Sequence, residues 1–111
     1  MIIAVPVNGG RLSQHFGHCE QFRLFHTDKD KNILRSEDVT PPPHEPGVLP
    51  KWLSEQKAGV IITGGMGMHA QQLFRQYGIE VVLGAPAGDP ACIVREWLDG
   101  TLESGANPCD H

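Results

Sequence analysis

From Gly59 to Gly100 the chain alternates short apolar runs with amphipathic segments, and this alternation restricts the fold more than any other feature. Gly59 to Thr63 and Ile79 to Leu83 are β-branched apolar runs next to glycines, which is typical of buried strands. The interval between them carries apolar residues at helical spacing, namely Ala70, Leu73, Phe74 and Tyr77. Asp89-Pro90 and Gly100 then suit the two ends of a further helix. The pattern predicts parallel strands covered by helices.

The first half of the chain has a different pattern, with three strands and few helical signals. Ile2–Val7 is a nearly continuous apolar run, and strands at Phe22–His26 and Ile33–Val39 are joined by a polar hairpin loop. We expect these three strands to be antiparallel neighbours. The proline-rich stretch Pro41–Pro46 excludes helix and central strand, and a helix follows from about Val48.

The elements together predict an α/β fold in the order β-β-β-α-β-α-β-α, with a mixed five-stranded sheet and flanking helices. A length of 111 residues is enough for one core. We therefore predict a single domain over residues 1–111, of which 101–111 is a polar tail.

Charge and cysteine content exclude several classes of function. Nine basic and thirteen acidic residues give a net charge of −4, which argues against a nucleic-acid or anionic-membrane surface. No stretch approaches the roughly 20 apolar residues of a membrane span. Three cysteines are an odd number, so a complete intramolecular disulfide framework is excluded. We expect a cytoplasmic protein whose thiols are structural or bind metal, with no nucleic-acid or membrane partner.

The loop after the first strand contains three potential metal ligands within five residues. His15, His18 and Cys19 offer two imidazoles and a thiol, and Gly17 lets the loop bend. The spacing matches no structural zinc site, since no partner C-x-x-C motif is present. The alternative is a loop whose histidines bond the backbone and whose Cys19 is buried as a small apolar residue.

Two further groups of ligand-type residues lie in proline-rich or terminal segments. His44 stands among prolines that reduce the entropy lost on fixing it, although the same prolines could simply end a strand. Cys109 and His111 flank Asp110 at the end of the chain and could form a metal-binding arm or an ordinary terminus.

A glycine-rich turn joins the strand at Thr63 to the following helix. Its residues Gly64, Gly65, Met66 and Gly67 allow close backbone approach, and a helix N-terminus offers N–H groups to an anion. His69 adds an imidazole in the first helical turn. The motif is neither a Walker A loop nor G-x-G-x-x-G, so a plain tight turn is the alternative.

Cys92 is expected to be a packed structural thiol, and Trp52, Phe74 and Trp97 are core candidates.

Several of these motifs occur together in the dinitrogenase iron–molybdenum cofactor biosynthesis family, which the sequence resembles over essentially its whole length. The resemblance rests on Met1 to Val7, the loop from His15 to Cys19, the turn from Gly64 to Gly67 and the helix from Asp89 to Gly100. Pro42 to Gly47 and Cys109 to His111 match one subgroup. Each motif is weak alone, but their combination in this order is specific. The family includes nitrogenase accessory proteins and small stand-alone proteins, one of them a molybdenum–copper protein.

The resemblance implies a ribonuclease H-like fold and non-catalytic binding of a metal–sulfur cofactor. It makes the histidine of the His-Phe-Gly loop, His15, the candidate ligand. Residue chemistry and the subgroup pattern extend the candidate metal ligands to His18, Cys19, His44, Cys109 and His111. The candidate cofactor contacts of the turn are Gly64, Gly65, Met66, Gly67 and His69. Relatives often have Pro-Arg where this chain has Met68-His69, so Arg11 or Arg75 would have to supply a positive charge.

We therefore expect a non-enzymatic carrier of an anionic iron–molybdenum or molybdenum–copper sulfide cluster, with cluster-donating and cluster-accepting proteins as partners. The alternative is a structural zinc-binding or protein-interaction module that holds zinc or iron alone. A metal-dependent nuclease is disfavoured, because two-metal chemistry requires clustered carboxylates and the central strands Ile2–Val7 and Val60–Thr63 contain none.

Overall fold

The computed structural model describes residues 1–13, 19–43, 47–86 and 88–102, and the structural statements that follow concern these residues. They form six strands and three helices. In chain order these are β1 (Ile2–Asn8), β2 (Arg11–Leu12), β3 (Gln21–Thr27), β4 (Ile33–Val39), α1 (Val48–Glu55), β5 (Val60–Ile62), α2 (Met68–Gln76), β6 (Glu80–Val82) and α3 (Pro90–Asp99).

The strands form one mixed sheet with the order β4-β3-β1-β5-β6, and the short β2 pairs with β1. The pairs β1–β3 and β3–β4 are antiparallel, whereas β1–β5 and β5–β6 are parallel. Ala4 marks the centre, since it lies opposite Leu24 on one side and Ile61 on the other. The predicted mixed α/β architecture, with an antiparallel first half and a parallel second half, is confirmed.

The prediction of five strands is wrong by one strand, because the sheet has six in the described part of the chain. Gly9 and Gly10 have φ angles of 59° and 79°, as a two-residue hairpin turn requires, so the chain folds back on β1 as β2. Leu12 N–H donates to the Gly88 carbonyl at 3.0 Å and fixes this short strand. The ribonuclease H-like label stays a prediction.

Each face of the sheet is covered by helices and carries its own apolar cluster. Ile3, Val5, Val60 and Ile62 belong to the cluster that includes residues of α3. The opposite face, which we call the α1/α2 face, carries the second cluster. This cluster includes Phe22, Leu24, Leu49, Leu53, Ile61, Met66 and Phe74. Phe74 is fully buried as predicted, whereas Trp52 and Trp97 are only half-buried. No helix of the described chain is both long and apolar enough to span a membrane.

Helix α3 follows the predicted capping signals. The Asp89 carboxylate accepts a hydrogen bond from the Ala91 N–H at 3.0 Å, and Gly100 ends the helix with a φ of 76°. The expectation of a packed Cys92 is wrong. Its side chain is exposed and its Sγ lies 3.7 Å from Asp89 Oδ2, because the buried face of α3 is formed by other residues.

Candidate functional site

The sheet topology brings the predicted site segments to one edge. Since β1, β5 and β6 are parallel and β3 is antiparallel to both β1 and β4, the strands β1, β4, β5 and β6 end where β3 begins. We call this the carboxyl edge. The described residues that follow or precede the strands there are 9–13, 19–20, 40–43, 63–68, 83–86 and 88–89. Ligands of α/β sheets bind outside the carboxyl ends of strands, so the edge is a suitable place for a site.

Asn8, the last residue of β1, organises one part of this edge. Its side-chain Nδ2 donates to Ser13 Oγ at 3.3 Å, and its Oδ1 accepts from the Glu20 N–H. The Glu20 carboxylate in turn accepts from the Gly9 N–H at 3.1 Å. Asn8 therefore connects Ser13, which precedes segment 14–18, to Glu20, which follows Cys19.

Cys19 is half-buried and packs against the apolar cluster of the α1/α2 face, to which Leu49 and Met66 also belong. Burial raises the pKa of its thiol to about 11, because the thiolate is poorly solvated there. Binding a metal through sulfur would release this proton. The packing brings Cys19, the last residue of the first candidate loop, to the same apolar cluster as Met66 of the glycine-rich turn.

The glycine-rich turn leads into α2 without a side-chain cap. Gly64, Gly65 and Met66 are buried, whereas Gly67 and His69 are exposed. Gly67 is the N-cap residue, with no side-chain hydrogen bond, and the first turn of α2 contains no acidic residue. The first helical N–H groups have no acceptor within the helix and make this end attractive to an anion.

Gly67 has an ordinary extended conformation, with φ −67° and ψ 156°, which any residue can adopt. A Cβ built on Gly67 would meet nothing within 4 Å. Neither backbone strain nor internal packing therefore explains a glycine at this position. The surface around it is open to an approaching group.

Thr63, between β5 and the turn, is a residue that sequence reasoning did not single out. It is fully buried, and its Oγ1 has no hydrogen-bond partner in the described structure. The available signal was strand alternation, which puts Thr63 on the same covered face as Ile61. Whether its hydroxyl has a partner could not be read from the sequence.

Some of the other candidate site residues lie in the part of the chain that the structure describes, and the rest lie outside it. Arg11 is exposed on β2 at the carboxyl edge, whereas Arg75 lies in the last turn of α2, away from its N-terminus. The candidates that lie outside the described residues are His15, His18, His44, Cys109 and His111. In the described part of the chain, no three His, Cys, Asp or Glu side chains come together as a metal site.

The family model described as dinitrogenase iron-molybdenum cofactor matches residues 1–100. The chain belongs to this family. The match includes β1, the loop after it, the glycine-rich turn and α3, which are the segments on which the sequence resemblance rests. The family membership and the geometry of the carboxyl edge therefore concern the same residues.

Individual relatives cover nearly the whole chain. An uncharacterized protein of Methanocaldococcus jannaschii, MJ0580, is 29% identical over 107 residues, which are 93% of this chain and 90% of that protein. The crystal structure of PH0822 superposes with a TM-score of 0.86 at 27% identity and covers 94% of both chains. The apo orange protein of Desulfovibrio gigas gives a TM-score of 0.77 at 26% identity, covering 96% of this chain and 94% of its own.

Proposed function

We propose that this protein carries a metal–sulfide cofactor of the iron–molybdenum or molybdenum–copper type and binds it at the carboxyl edge of the sheet. The cluster is cargo, received from and delivered to other proteins, and the chain performs no chemistry on it. The family match supports the class of cargo. The similarity to the orange protein of Desulfovibrio gigas supports a small stand-alone carrier.

Three features of the α1/α2 face at the carboxyl edge support the proposal, and the uncapped N-terminus of α2 carries most weight. The uncapped N-terminus of α2 offers N–H donors, which suit terminal sulfide or oxide atoms of an anionic cluster. Cys19 and Met66 share the apolar cluster beneath, which provides sulfur ligands and excludes water. The exposed His69 in the first turn of α2 adds an imidazole.

The proposed ligands extend to residues outside the described structure. His15 is the proposed principal ligand, and His18, His44, Cys109 and His111 are additional candidates. Ser13 and Cys19, which border segment 14–18, belong to the carboxyl edge and support a contribution from His15 and His18. Gly67 is exposed and has open space at its Cβ position, so that a bulky inorganic ion can approach the start of α2, and Gly64 and Gly65 are proposed to contribute through the backbone of the turn.

The test is anaerobic reconstitution of the apoprotein. It is incubated with tetrathiomolybdate and Cu(I), or with iron, sulfide and molybdate, and then desalted for metal analysis and a visible spectrum. We expect retained molybdenum with charge-transfer absorption, and loss of both in His15→Ala. The matched control is His26→Ala, because the His26 ring contacts Glu37 at 3.0 Å near the end of β3 opposite the carboxyl edge.

Two outcomes would contradict the proposal. One is that the wild-type protein retains no molybdenum or iron species under any of these conditions. The other is stoichiometric zinc with no capacity for sulfide-containing species, which would favour the structural zinc or protein-interaction module.

A further inference from the structure

The hydroxyl of Thr63 differs from the other buried side-chain polar atoms that the structure describes, because those atoms have hydrogen-bond partners. Thr63 is 0% exposed, and its Oγ1 has no hydrogen-bond partner among the residues that the structure describes. Thr27 is also buried, but its hydroxyl donates to the Met1 carbonyl at 3.3 Å. A buried polar group without a partner destabilises a protein, and each native instance calls for a specific reason. A valine would fill the same space without this cost.

Strand alternation puts the side chain of Thr63 on the α1/α2 face of the sheet. The Thr63 N–H donates to the Val82 carbonyl at 3.0 Å, and its carbonyl accepts from the Ala85 N–H at 3.2 Å, so the pairing with β6 continues past the end of β5. Ile61, two residues earlier, belongs to the cluster of the α1/α2 face. Since alternate strand residues share a face, Thr63 also faces that side.

Helix α2 packs on this same side and begins at Met68, with four residues between it and Thr63. Met66, in the turn, belongs to the apolar cluster of the α1/α2 face, and Gln71 Nε2 donates to the Met66 carbonyl at 3.0 Å, which holds the turn against the helix. Three of the four residues between Thr63 and α2 are glycines, and the last of them, Gly67, is exposed. A buried hydroxyl without a described partner therefore lies on the sheet face that α2 covers, separated along the chain from the start of the uncapped helix only by this short turn.

We propose that Thr63 is a cargo-binding residue whose hydroxyl donates a hydrogen bond to an oxo or sulfido atom of the anion held at the N-terminus of α2. This inference rests on the proposed function, because the same site is used. It assigns the site a preference for anions with terminal oxygen or sulfur acceptors. The hydroxyl then finds its hydrogen-bond partner only when the ligand is bound, and the ligand-free protein is less stable because this buried donor lacks a partner.

The experiment compares Thr63→Val with Thr27→Val, using tetrathiomolybdate as the probe. Urea unfolding of the ligand-free variants is expected to show an unchanged or higher midpoint for Thr63→Val and a lower midpoint for Thr27→Val. Anaerobic absorption titration is expected to show a Kd about tenfold higher for Thr63→Val, which corresponds to about 1.4 kcal/mol. The Kd of Thr27→Val should equal that of the wild type. Thr63→Ser, which keeps the hydroxyl, should retain most of the affinity.

The outcomes separate this inference from the proposed function. If wild type and Thr63→Val bind tetrathiomolybdate equally, the role of Thr63 is refuted while the carrier function stands. A lower urea midpoint together with an unchanged Kd would show that the hydroxyl serves the fold, and would overturn the inference in the same way. If the wild type itself does not bind tetrathiomolybdate, the inference about Thr63 fails, and the proposed function is then decided by the reconstitution with iron, sulfide and molybdate.

Discussion

Replacing Asn8 with alanine removes the side chain that joins the two sides of segment 14–18, which carries His15 and His18. In the structure the Asn8 amide donates to Ser13 Oγ at 3.3 Å and accepts from the Glu20 N–H. Backbone bonds also anchor both partners, since the Ser13 N–H donates to the Pro6 carbonyl at 2.8 Å and the Glu20 N–H to the Val7 carbonyl at 3.2 Å. Asn8→Ala should therefore loosen the edge without unfolding the sheet.

The expected loss follows from the two side-chain hydrogen bonds. Each such bond contributes about 0.5–1.5 kcal/mol net, which gives an upper range of about 3 kcal/mol. The Glu20 N–H keeps its bond to Val7, and Asn8 is only half-buried. We therefore expect the lower part of the range, a decrease of about 1–1.5 kcal/mol in the free energy of unfolding. For a domain of this size that is a fall of about 4–6 °C in Tm.

Urea unfolding measures this loss, and amide hydrogen exchange at Glu20 shows whether it is local. The matched control is Asn32→Ala, whose side-chain Nδ2 donates to Asp28 Oδ2 at 3.3 Å in an exposed turn at the opposite end of the sheet. We expect faster exchange of the Glu20 amide and weaker tetrathiomolybdate binding for Asn8→Ala alone. Equal losses of stability in both variants, or unchanged exchange at Glu20, would refute the reasoning.

Two other predictions concern the ion pair of Arg23 and Asp38 and the glycine at the start of α2. The Arg23 guanidinium bonds both carboxylate oxygens of Asp38, at 2.7 and 3.2 Å, and this holds the pKa of Asp38 below its usual value. A lowered folded-state pKa means that the stabilisation is present above the unfolded pKa and is lost as pH falls through the folded one. Asp38→Asn should thus cost about 0.5 kcal/mol at pH 7, because the pair is partly exposed, and progressively less as the pH falls below the unfolded pKa; a cost that does not fall with pH would contradict this. Gly67→Ala should change the free energy of unfolding by less than about 0.5 kcal/mol, because the effects on chain entropy and on helix capping offset each other. It should nevertheless weaken tetrathiomolybdate binding, because the added methyl group stands at the start of α2, where the anion is proposed to bind. Gly78→Ala, at a φ of 74°, should cost about 1 kcal/mol and leave binding unchanged, and the reverse pattern would exclude a backbone role for Gly67.

The parts of the fold that the sequence predicts well are those whose chemistry is local. Helix α3 begins and ends as expected because Asp89, Pro90 and Gly100 act within one turn of each helix end. The strand over Ile33–Val39 is found with the predicted bounds. By contrast β2 has only two residues, and its anchor at Gly88 lies far along the chain, so no periodicity could indicate it.

The candidate site also has some parts that local sequence predicts and others that depend on distant residues. The glycine-rich turn and the N-terminus of α2 follow from local composition, whereas the roles of Asn8 and Thr63 depend on partners that only the folded chain defines. Asn8 is recognisable because it bonds Ser13 and Glu20, and Thr63 because its hydroxyl bonds no residue of the described structure. Packing of Cys19 against the apolar cluster of the α1/α2 face also depends on β3 lying beside β1.

The three helices explain how a chain of net charge −4 can still present one face to an anion. All three begin toward the carboxyl edge, but α3 is capped by the Asp89 carboxylate, which adds negative charge at its start. Helices α1 and α2 have Gly47 and Gly67 as N-cap residues, with no side-chain cap and no acidic residue in the first turn. The positive ends of their dipoles therefore remain uncompensated by their own residues, and only on the α1/α2 face. Because the overall charge repels an anion at long range, recognition there has to come from short-range donors, which is why a single hydroxyl such as that of Thr63 can matter for binding.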